Sequence, residues 1–531
     1  MKFDFYEISE VLKRTAKLME LHEGNPFKIN ALNNAVFHLS KLPSAEMDAA
    51  ELLKIVGIGK SLAQTIVEIQ STGTSKELNL LLVQSPEGIL EMLKVKGLGP
   101  KKVRLLWKEL ELESIGELYY ACLENRLVAL KGFGKKTQDA VKKEIEFIRS
   151  SKGKHLFADV ENAAMSFIGS LQKEFATYRF EITGEMHRQC EIISSLEILT
   201  DAPADANFNS HSELPFKILH CEKDSFYKTL VQTSSTPQHL EKIAFHTLKE
   251  NLFKSESAVY EALQLPYFYP EWREGVFEDV ILKSYPHDLI SDGNLRGTLH
   301  NHSRYSDGSN TLREMAEYAK SLGLEYLGIC DHSKSAVYAS GMTEERVAEQ
   351  HLEIEKLNKD LYPFKVYKGI ESDILFNGDL DYEDEILRSF DFVVASIHQH
   401  FKMDEEKATA RLIRAIEHPA TRILGHPTGR LLLSRMGYPI NHKKIIDACA
   451  ENGVAIELNA NPHRLDLDWR FIPECMEKGV KISINPDAHE IAGYQDMRFG
   501  VKVARKGLLT KSYCLNAMDR MEFEQWLKVN K

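Results

Sequence analysis

Two textures of apolar and polar residues divide this chain. From residue 296 onward, short apolar, β-rich runs are separated by helical segments: GTLH from Gly297, EYLGIC from Glu325, FKVYKGI from Phe364, FDFVVASI from Phe390, TRILG from Thr421, GVAIELN from Gly453 and GVKISIN from Gly479. Such alternation predicts a parallel βα architecture. The first 150 residues carry instead a weak internal repeat, VGIGKSLAQTI from Val56, VKGLGPKKVRLL from Val95 and LKGFGKKTQDAV from Leu130. Each copy sets apolar-x-Gly-apolar-Gly ahead of a helix. Glycine there allows positive φ, and the backbone N–H groups of the turn then point outward at a helix N-terminus.

The ends of the seven apolar runs are polar in a particular way. They are followed or closed by His300 and His302, Asp331 and His332, Glu371, His398 and His400, His426, Glu457 and Asn459, and Asp487 and His489. In a βα barrel, the carboxyl ends of the strands converge on one rim, where the active site lies. A lone histidine at a strand end is more often a hydrogen-bonded structural residue than a ligand. Imidazole or carboxylate at every strand end instead predicts a rim loaded with metal. A donor set of imidazole and carboxylate without thiolate suits zinc, manganese or iron(II) better than calcium.

Composition narrows the setting. A chain of 531 residues with ordinary apolar and charged fractions is expected to form two to four globular domains. The seven cysteines are scattered and include no CxxC pair, which argues against disulfides and thiolate zinc. The opening MKFDFYEISEVLK is acidic where a signal peptide would be apolar, and no run of eighteen apolar residues occurs, so a cytoplasmic protein without membrane contact is expected. A formal charge of −11 leaves nucleic-acid binding to local basic patches. The repeat supplies them: Gly57, Gly59 and Lys60, then Gly97, Gly99, Lys101 and Lys102, then Gly132, Gly134, Lys135 and Lys136. This is the helix-hairpin-helix pattern, and three basic copies in series point to sequence-independent contacts with a DNA backbone rather than to mere tight corners.

With NPFKINALNNAV (residues 25–36) ahead of the hairpins and YPEWREG (residues 269–275) well after them, the chain resembles bacterial family X DNA polymerases of the PolX type. The resemblance implies a nucleotidyltransferase palm, written in the family as Gly-Ser, two arginines and Asp-x-Asp. Here GEMHRQCEIISSLEIL (residues 184–199) has Glu185 for the serine, His187 for the first arginine and Ser195-Leu196-Glu197 for the acidic pair. Only Gly184, Arg188 and Glu197 remain, and Lys217 in LPFKILH (residues 214–220) falls where a third carboxylate belongs. Two-metal phosphoryl transfer needs several carboxylates, so the expectation is a palm fold without polymerase activity. Thr65 stands where relatives with lyase activity carry a Schiff-base lysine, and Asn30, Asn33 and Asn34 stand where they often carry arginines.

The motifs LHNHSRYSDG, CDHS, GIES, ASIHQHF, GHPTGR, ELNANPHRLD and INPDAH resemble the PHP (polymerase and histidinol phosphatase) domain over residues 296 to about 520. The resemblance implies nine metal ligands serving up to three divalent ions (Mn2+, Zn2+ or Fe2+). One ion would take His300, His302, Glu371 and Asp487. A second would take Asp307, His332 and His489, and a third His398 and His426 with Glu371 bridging. Thr298 replaces an aspartate common in the family without removing a ligand. Glu371 and Asp487 thus double as catalytic residues. Arg430 and Arg464 are candidate phosphate clamps or else surface ion pairs, and His400 and Asp466 candidate proton donors.

The expected fold class is multidomain α/β: a helix-hairpin-helix N-terminal region, a degenerate α+β palm and thumb, and a C-terminal (βα)7 PHP barrel. The boundaries expected are 1–80, 81–150, 151–285 and 286–531. The favoured function is a metal-dependent phosphoesterase acting on DNA, a 3′-5′ exonuclease in DNA repair that works as a monomer. The alternatives are a small-molecule phosphatase, with histidinol phosphate as the family's substrate, and a non-catalytic DNA-repair scaffold.

Overall fold

The computed structural model describes residues 5–529 apart from 40–46, 111, 124–126, 128, 129, 131, 152, 206, 207, 209–215, 434 and 435; Leu214 and Pro215 of the LPFKILH run lie outside the described residues. The chain forms two compact units, Met1–Lys152 and Gly153–Lys531. In the first, helices bury two apolar clusters, one built from Phe5 to Ile69 and another largely from Leu78 to Ile145. Helices Lys60–Thr72, Pro100–Leu110 and Lys135–Ser151 each start just after one of the three repeated Gly-x-Gly turns.

The described residues of the second unit form twelve strands. The first five are β1 (His155–Leu156), β2 (Phe180–Thr183), β3 (Ile192–Ile193), β4 (Leu196–Thr200) and β5 (Phe216–His220). β2, β4 and β5 form a three-stranded sheet in which β2 is antiparallel and β5 parallel to β4. The other seven are β6 (Gly297–Thr298), β7 (Tyr326–Ile329), β8 (Lys365–Asp373), β9 (Phe392–Ser396), β10 (Thr421–Leu424), β11 (Ala455–Asn459) and β12 (Ile482–Asn485). They form one sheet in sequential order, all parallel, and correspond one for one to the seven apolar runs.

Strands covered on both faces can be apolar without alternation, and every residue of β7, β9, β10, β11 and β12 is buried. The barrel closes almost fully where the extensions of β6 and β12 meet. There Asn301 bridges Ala488, and the Leu299 N–H donates to Asn485 Oδ1 at 3.0 Å. Local chemistry starts the covering helices: Thr311 and Glu314 form a capping box for Leu312–Ser321, and the side chains of Asp404 and Asn441 cap Glu405–Ile416 and His442–Asn452. Among the described residues no helix is long and apolar enough to cross a membrane.

The palm-like sheet is joined to the barrel through helix Met497–Lys506. Lys506 is almost fully buried, and its Nζ lies 2.6 Å from Glu274 Oε1, which also accepts from Arg188 Nε at 3.1 Å. Lys502 and Arg498 both reach Glu161, and Arg505 reaches Glu271. Burial alone would raise the Glu274 carboxyl, but Lys506 and Arg188 hold it down at about 2, against an ordinary 4.5. A depressed carboxylate stabilises the fold above its unfolded pKa and loses that contribution as pH falls through the folded one, a difference of about 3 kcal/mol here. Glu274→Gln should therefore lower the stability of the second unit by about 3 kcal/mol in denaturant titrations at pH 7, since Lys506 is left buried and unpaired. The deficit should shrink as the pH is lowered from 4.5 towards 2.

Candidate functional site

Seven parallel strands deliver their carboxyl ends to one rim, and Glu371, near the end of β8, is its centre. Glu371 is buried, with His300, His398 and His426 Nε2 at 3.3, 3.1 and 3.0 Å from Oε1 and His332 Nδ1 at 2.9 Å from Oε2. Beside it, His302 Nε2 lies 2.9 Å and His300 Nε2 3.6 Å from Asp487 Oδ1. Asp307, in the Ser-Asp-Gly turn after β6, has Oδ2 at 3.3 Å from His489 Nε2 and 3.5 Å from His332 Nε2. The structure thus brings together all nine residues expected from the motifs.

Three sets offer ligand atoms that all lie within 4.8 Å of one another: His302, Asp307, His332 and His489; His300, His302 and Asp487; and His332, Glu371 and His398. His302 and His332 each belong to two sets, so the division among ions is less sharp than the motif assignment implies. The donors fit divalent cations. His300 Nε2 and His302 Nδ1 are buried polar atoms with no hydrogen-bond partner among the described residues, a costly state that a cation relieves.

Electrostatics point the same way. Burial, with His489 and His332 alongside, holds His302 down at about 3, so it is a neutral imidazole with one ring-nitrogen lone pair to offer. Burial would also lower His332 and His398, but the Glu371 carboxylate raises them to about 10 and about 9. Glu371 and Asp487, despite burial, are held well below the carboxylate range by their histidines. Protons on His332 and His398 occupy positions a cation can take, so metal binding releases protons.

A further ring of groups orients these ligands. Glu457 on β11 sits 2.7 Å from His300 Nδ1 and accepts from Asn485 Nδ2 at 3.2 Å and Asn459 Nδ2 at 3.0 Å. Asp373 sits 2.5 Å from His398 Nδ1 and accepts from Ser335 Oγ at 2.8 Å. Each carboxylate fixes its imidazole with Nε2 facing the cluster. Asp331 receives the Ser303 N–H at 2.8 Å, Ser303 Oγ at 2.6 Å, Ser306 Oγ at 2.5 Å and Gln350 Nε2 at 2.6 Å, which anchors the loop carrying Asp307. Sequence reasoning passed over Asp373, although its position two residues after Glu371 on one strand puts both side chains on the same face.

The remaining candidates separate. Arg430 donates to the carbonyls of Arg464 (2.9 Å) and Leu465 and to Asp468 Oδ2 (3.1 Å), so its guanidinium braces the 464–468 loop. Arg464 lies at the rim, Nε 3.8 Å from Asp487 Oδ2. Asp466 is buried and accepts from the backbone N–H and hydroxyl of Thr428 at 3.0 and 2.9 Å. His400 is exposed, with a positive φ of 59°.

In the first unit the three repeats share one geometry. Gly57, Gly97 and Gly132 have φ of 87°, 88° and 86°, the intervening Ile58, Leu98 and Phe133 are buried, and Gly59, Gly99 and Gly134 are exposed just ahead of the following helices. A Cβ added at any of the six glycines would meet nothing within 4 Å, so the turns face open space. Lys60, Lys101, Lys135 and Lys136 are exposed beside them, whereas Lys102 donates to the Gly97 carbonyl at 3.2 Å.

The palm-like sheet differs. Glu197 on β4 pairs in register with Lys217 on β5, Nζ to Oε1 3.1 Å, and Glu185 accepts the Ser194 N–H at 2.5 Å. His187 faces Glu256 at 3.6 Å. A salt bridge thus joins the second position of the expected acidic pair to the position expected for the third carboxylate.

Tandem helix-hairpin-helix turns and a barrel with an imidazole and carboxylate rim define a multidomain protein of hairpin-plus-PHP type. Residues 6–75 match the helix-hairpin-helix domain, residues 89–146 the SAM-like helix-hairpin-helix tandem and residues 298–461 the PHP domain. Bacillus subtilis (strain 168) has a similar protein, DNA polymerase/3′-5′ exonuclease PolX, 32% identical over 99% of both chains. Probable phosphatases of Acetivibrio thermocellus and Clostridium novyi are 31% and 27% identical over 28% of this chain, and 58% and 57% of their own lengths. The chain belongs to the PolX family.

If Glu457 and Asp373 orient their histidines towards bound metal, Glu457→Gln and Asp373→Asn should each weaken metal affinity by roughly 10- to 100-fold. Competition with a chromogenic chelator and metal analysis of the dialysed protein would measure it; unchanged affinity in both variants would refute the assignment.

Proposed function

We propose that this chain is a divalent-metal-dependent exonuclease that releases nucleotides from DNA 3′ ends in repair, with the hairpins holding the DNA backbone and without polymerase activity. The observation that carries this reading is the convergence of nine imidazole and carboxylate side chains on one barrel rim in a chain that also bears three basic hairpin turns. Structural metal sites are closed and mononuclear, so ligands spread over a rim argue against a scaffold.

His300, His302, Glu371 and Asp487 would hold one cation, Asp307, His332 and His489 another, and His398 and His426 with Glu371 a third. Divalent cations there supply charge neutralisation for phosphoryl oxygens and acidify water so that it can attack phosphorus near neutral pH. Arg464 supplies a guanidinium at the rim for a non-bridging phosphoryl oxygen. Glu457, Asp373 and Asp331 keep the histidines and the Asp307 loop in place while substrate enters. The Glu197–Lys217 pair supports the loss of polymerase chemistry, because the lysine neutralises the one carboxylate that remains of the family's three motif acids.

With manganese, the purified protein should shorten a 5′-labelled primer from its 3′ end. His332→Ala and Asp487→Ala should each cut that rate by at least about 100-fold, more than the loss of an outer partner, with DNA affinity retained in a mobility-shift titration. Rapid hydrolysis of histidinol phosphate with DNA left intact would replace this reading by a small-molecule phosphatase. Extension of the primer by any nucleotide would overturn the account of Glu197 and Lys217.

The hairpins should act through charge and without regard to base sequence. Combined Lys60→Ala, Lys101→Ala and Lys135→Ala should weaken binding equally for unrelated DNA sequences. The slope of log affinity against log salt should become shallower by about 0.9 for each duplex phosphate that is no longer neutralised.

A further inference from the structure

Beyond the metal ligands, the rim carries an aromatic pair that the hydrolytic chemistry leaves unused. Phe376 follows β8 and is 73% exposed, and its ring centroid lies 5.5 Å from that of His400, which follows β9, at an interplanar angle of 75°. Exposed phenylalanine is ordinarily incidental, but this one stands on a built support. Arg411, itself buried, passes its guanidinium between the two loops. Nε donates to the Leu375 carbonyl at 2.8 Å, NH2 to the Ile374 carbonyl and NH1 to the Gln399 carbonyl at 3.1 Å. A buried charge is retained only with such compensation. It fixes the residues just before Phe376 and just before His400 in one arrangement. His400 also holds a left-handed backbone conformation, φ 59°, which costs a non-glycine residue about 1 kcal/mol and is met mostly at functional sites.

The position gives the pair its use. Asp373 and His398, in contact at 2.5 Å, belong to the metal rim. Phe376 is three residues beyond the one and His400 two beyond the other, so even fully extended backbone separates the aromatic pair from the rim by only about 7 to 10 Å. That is the scale of one nucleotide. Every nucleobase has a flat π-face, so an aromatic platform accepts any of them, and the exposed Lys402 beyond His400 adds positive charge near the strand.

We propose that the exposed ring of Phe376, backed edge to face by His400, is a stacking platform for the terminal nucleobase of the strand whose phosphodiester lies at the metal rim. The proposal rests on the reading of that rim as a DNA phosphodiesterase. It makes the enzyme prefer ends with an unpaired, stackable base, and it assigns His400 to substrate binding rather than to proton donation.

The test compares single-turnover release from a 3′ end bearing an ordinary nucleotide with release from one bearing a tetrahydrofuran abasic residue. One base stacked on an aromatic ring corresponds to a preference of roughly tenfold or more. The wild-type protein should show that ratio, Phe376→Ala should reduce it to about one, and Phe376→Trp should keep it. His400→Phe should also keep it, since a phenyl ring can still back Phe376 but carries no titratable proton. A wild-type ratio of one, or an unchanged ratio in Phe376→Ala, overturns the platform. Loss of release from both ends in His400→Phe overturns the assignment of His400 and restores it as the proton donor. Failure of the wild-type protein to shorten either DNA is a different result, which removes the phosphodiesterase reading and the platform with it.

Discussion

One buried carboxylate sets the terms for the second unit. Glu371 has four imidazole nitrogens within 3.3 Å, and burial alone would drive it to its neutral form. A fold can keep such a group ionised only if positive charge reaches it from several directions. No single loop does that. Strand ends converging from a barrel do, because β6, β7, β9 and β10 each send a histidine to the same point from a different direction. The barrel is thus the framework that a central ionised carboxylate requires.

Ligands delivered by separate strands must also be held in orientation, and the same barrel solves this with residues one step further out. Glu457 and Asp373 each take the Nδ1 side of one imidazole, with Asn485 donating to the same Glu457 oxygen that faces His300 and Asn459 to the other. Asp331 accepts four hydrogen bonds and pins the loop that presents Asp307. Carboxylates so deeply buried are tolerable because both oxygens of Glu457, Asp373 and Asp331 have a polar partner.

Much of this was legible from sequence. Strands buried on both faces can be apolar without alternation, so all seven stood out as runs, and most of the imidazoles and carboxylates that end them do meet at one rim. The register of the palm-like sheet was also legible in outline, since Lys217 does lie beside Glu197. What could not be seen were interactions between residues far apart in the chain. Arg430 looked like a phosphate clamp, yet its guanidinium is taken up by the carbonyls of Arg464 and Leu465 and by Asp468. Asp373 carried the signal of strand alternation but meant nothing until His398, 25 residues away, was placed on it. Arg411 offered no sequence signal at all, because its partners are backbone carbonyls.

The region around the palm-like sheet braces the barrel. Arg188, which remains there with Gly184 and Glu197 of the motif, pairs with Glu274, which in turn holds Lys506 of a barrel helix. That helix packs directly behind the rim: a Cβ added at its Gly500 would come within 2.6 Å of both Ala460 beyond β11 and Ile484 on β12. The YPEWREG segment works in the same way, Glu271 on Arg505 and the Trp272 ring N–H on the Arg505 carbonyl at 2.9 Å. Losing the Glu274 carboxylate would leave Lys506 without its buried counter-ion and loosen the helix against β11 and β12, the strands that carry Glu457 and lead to Asp487. The Glu197–Lys217 pair is partly open to solvent, with the Lys217 side chain 63% exposed, and contributes little to stability. The Glu274–Lys506 and Glu271–Arg505 pairs are far more buried, and their loss would reach the rim through β11 and β12.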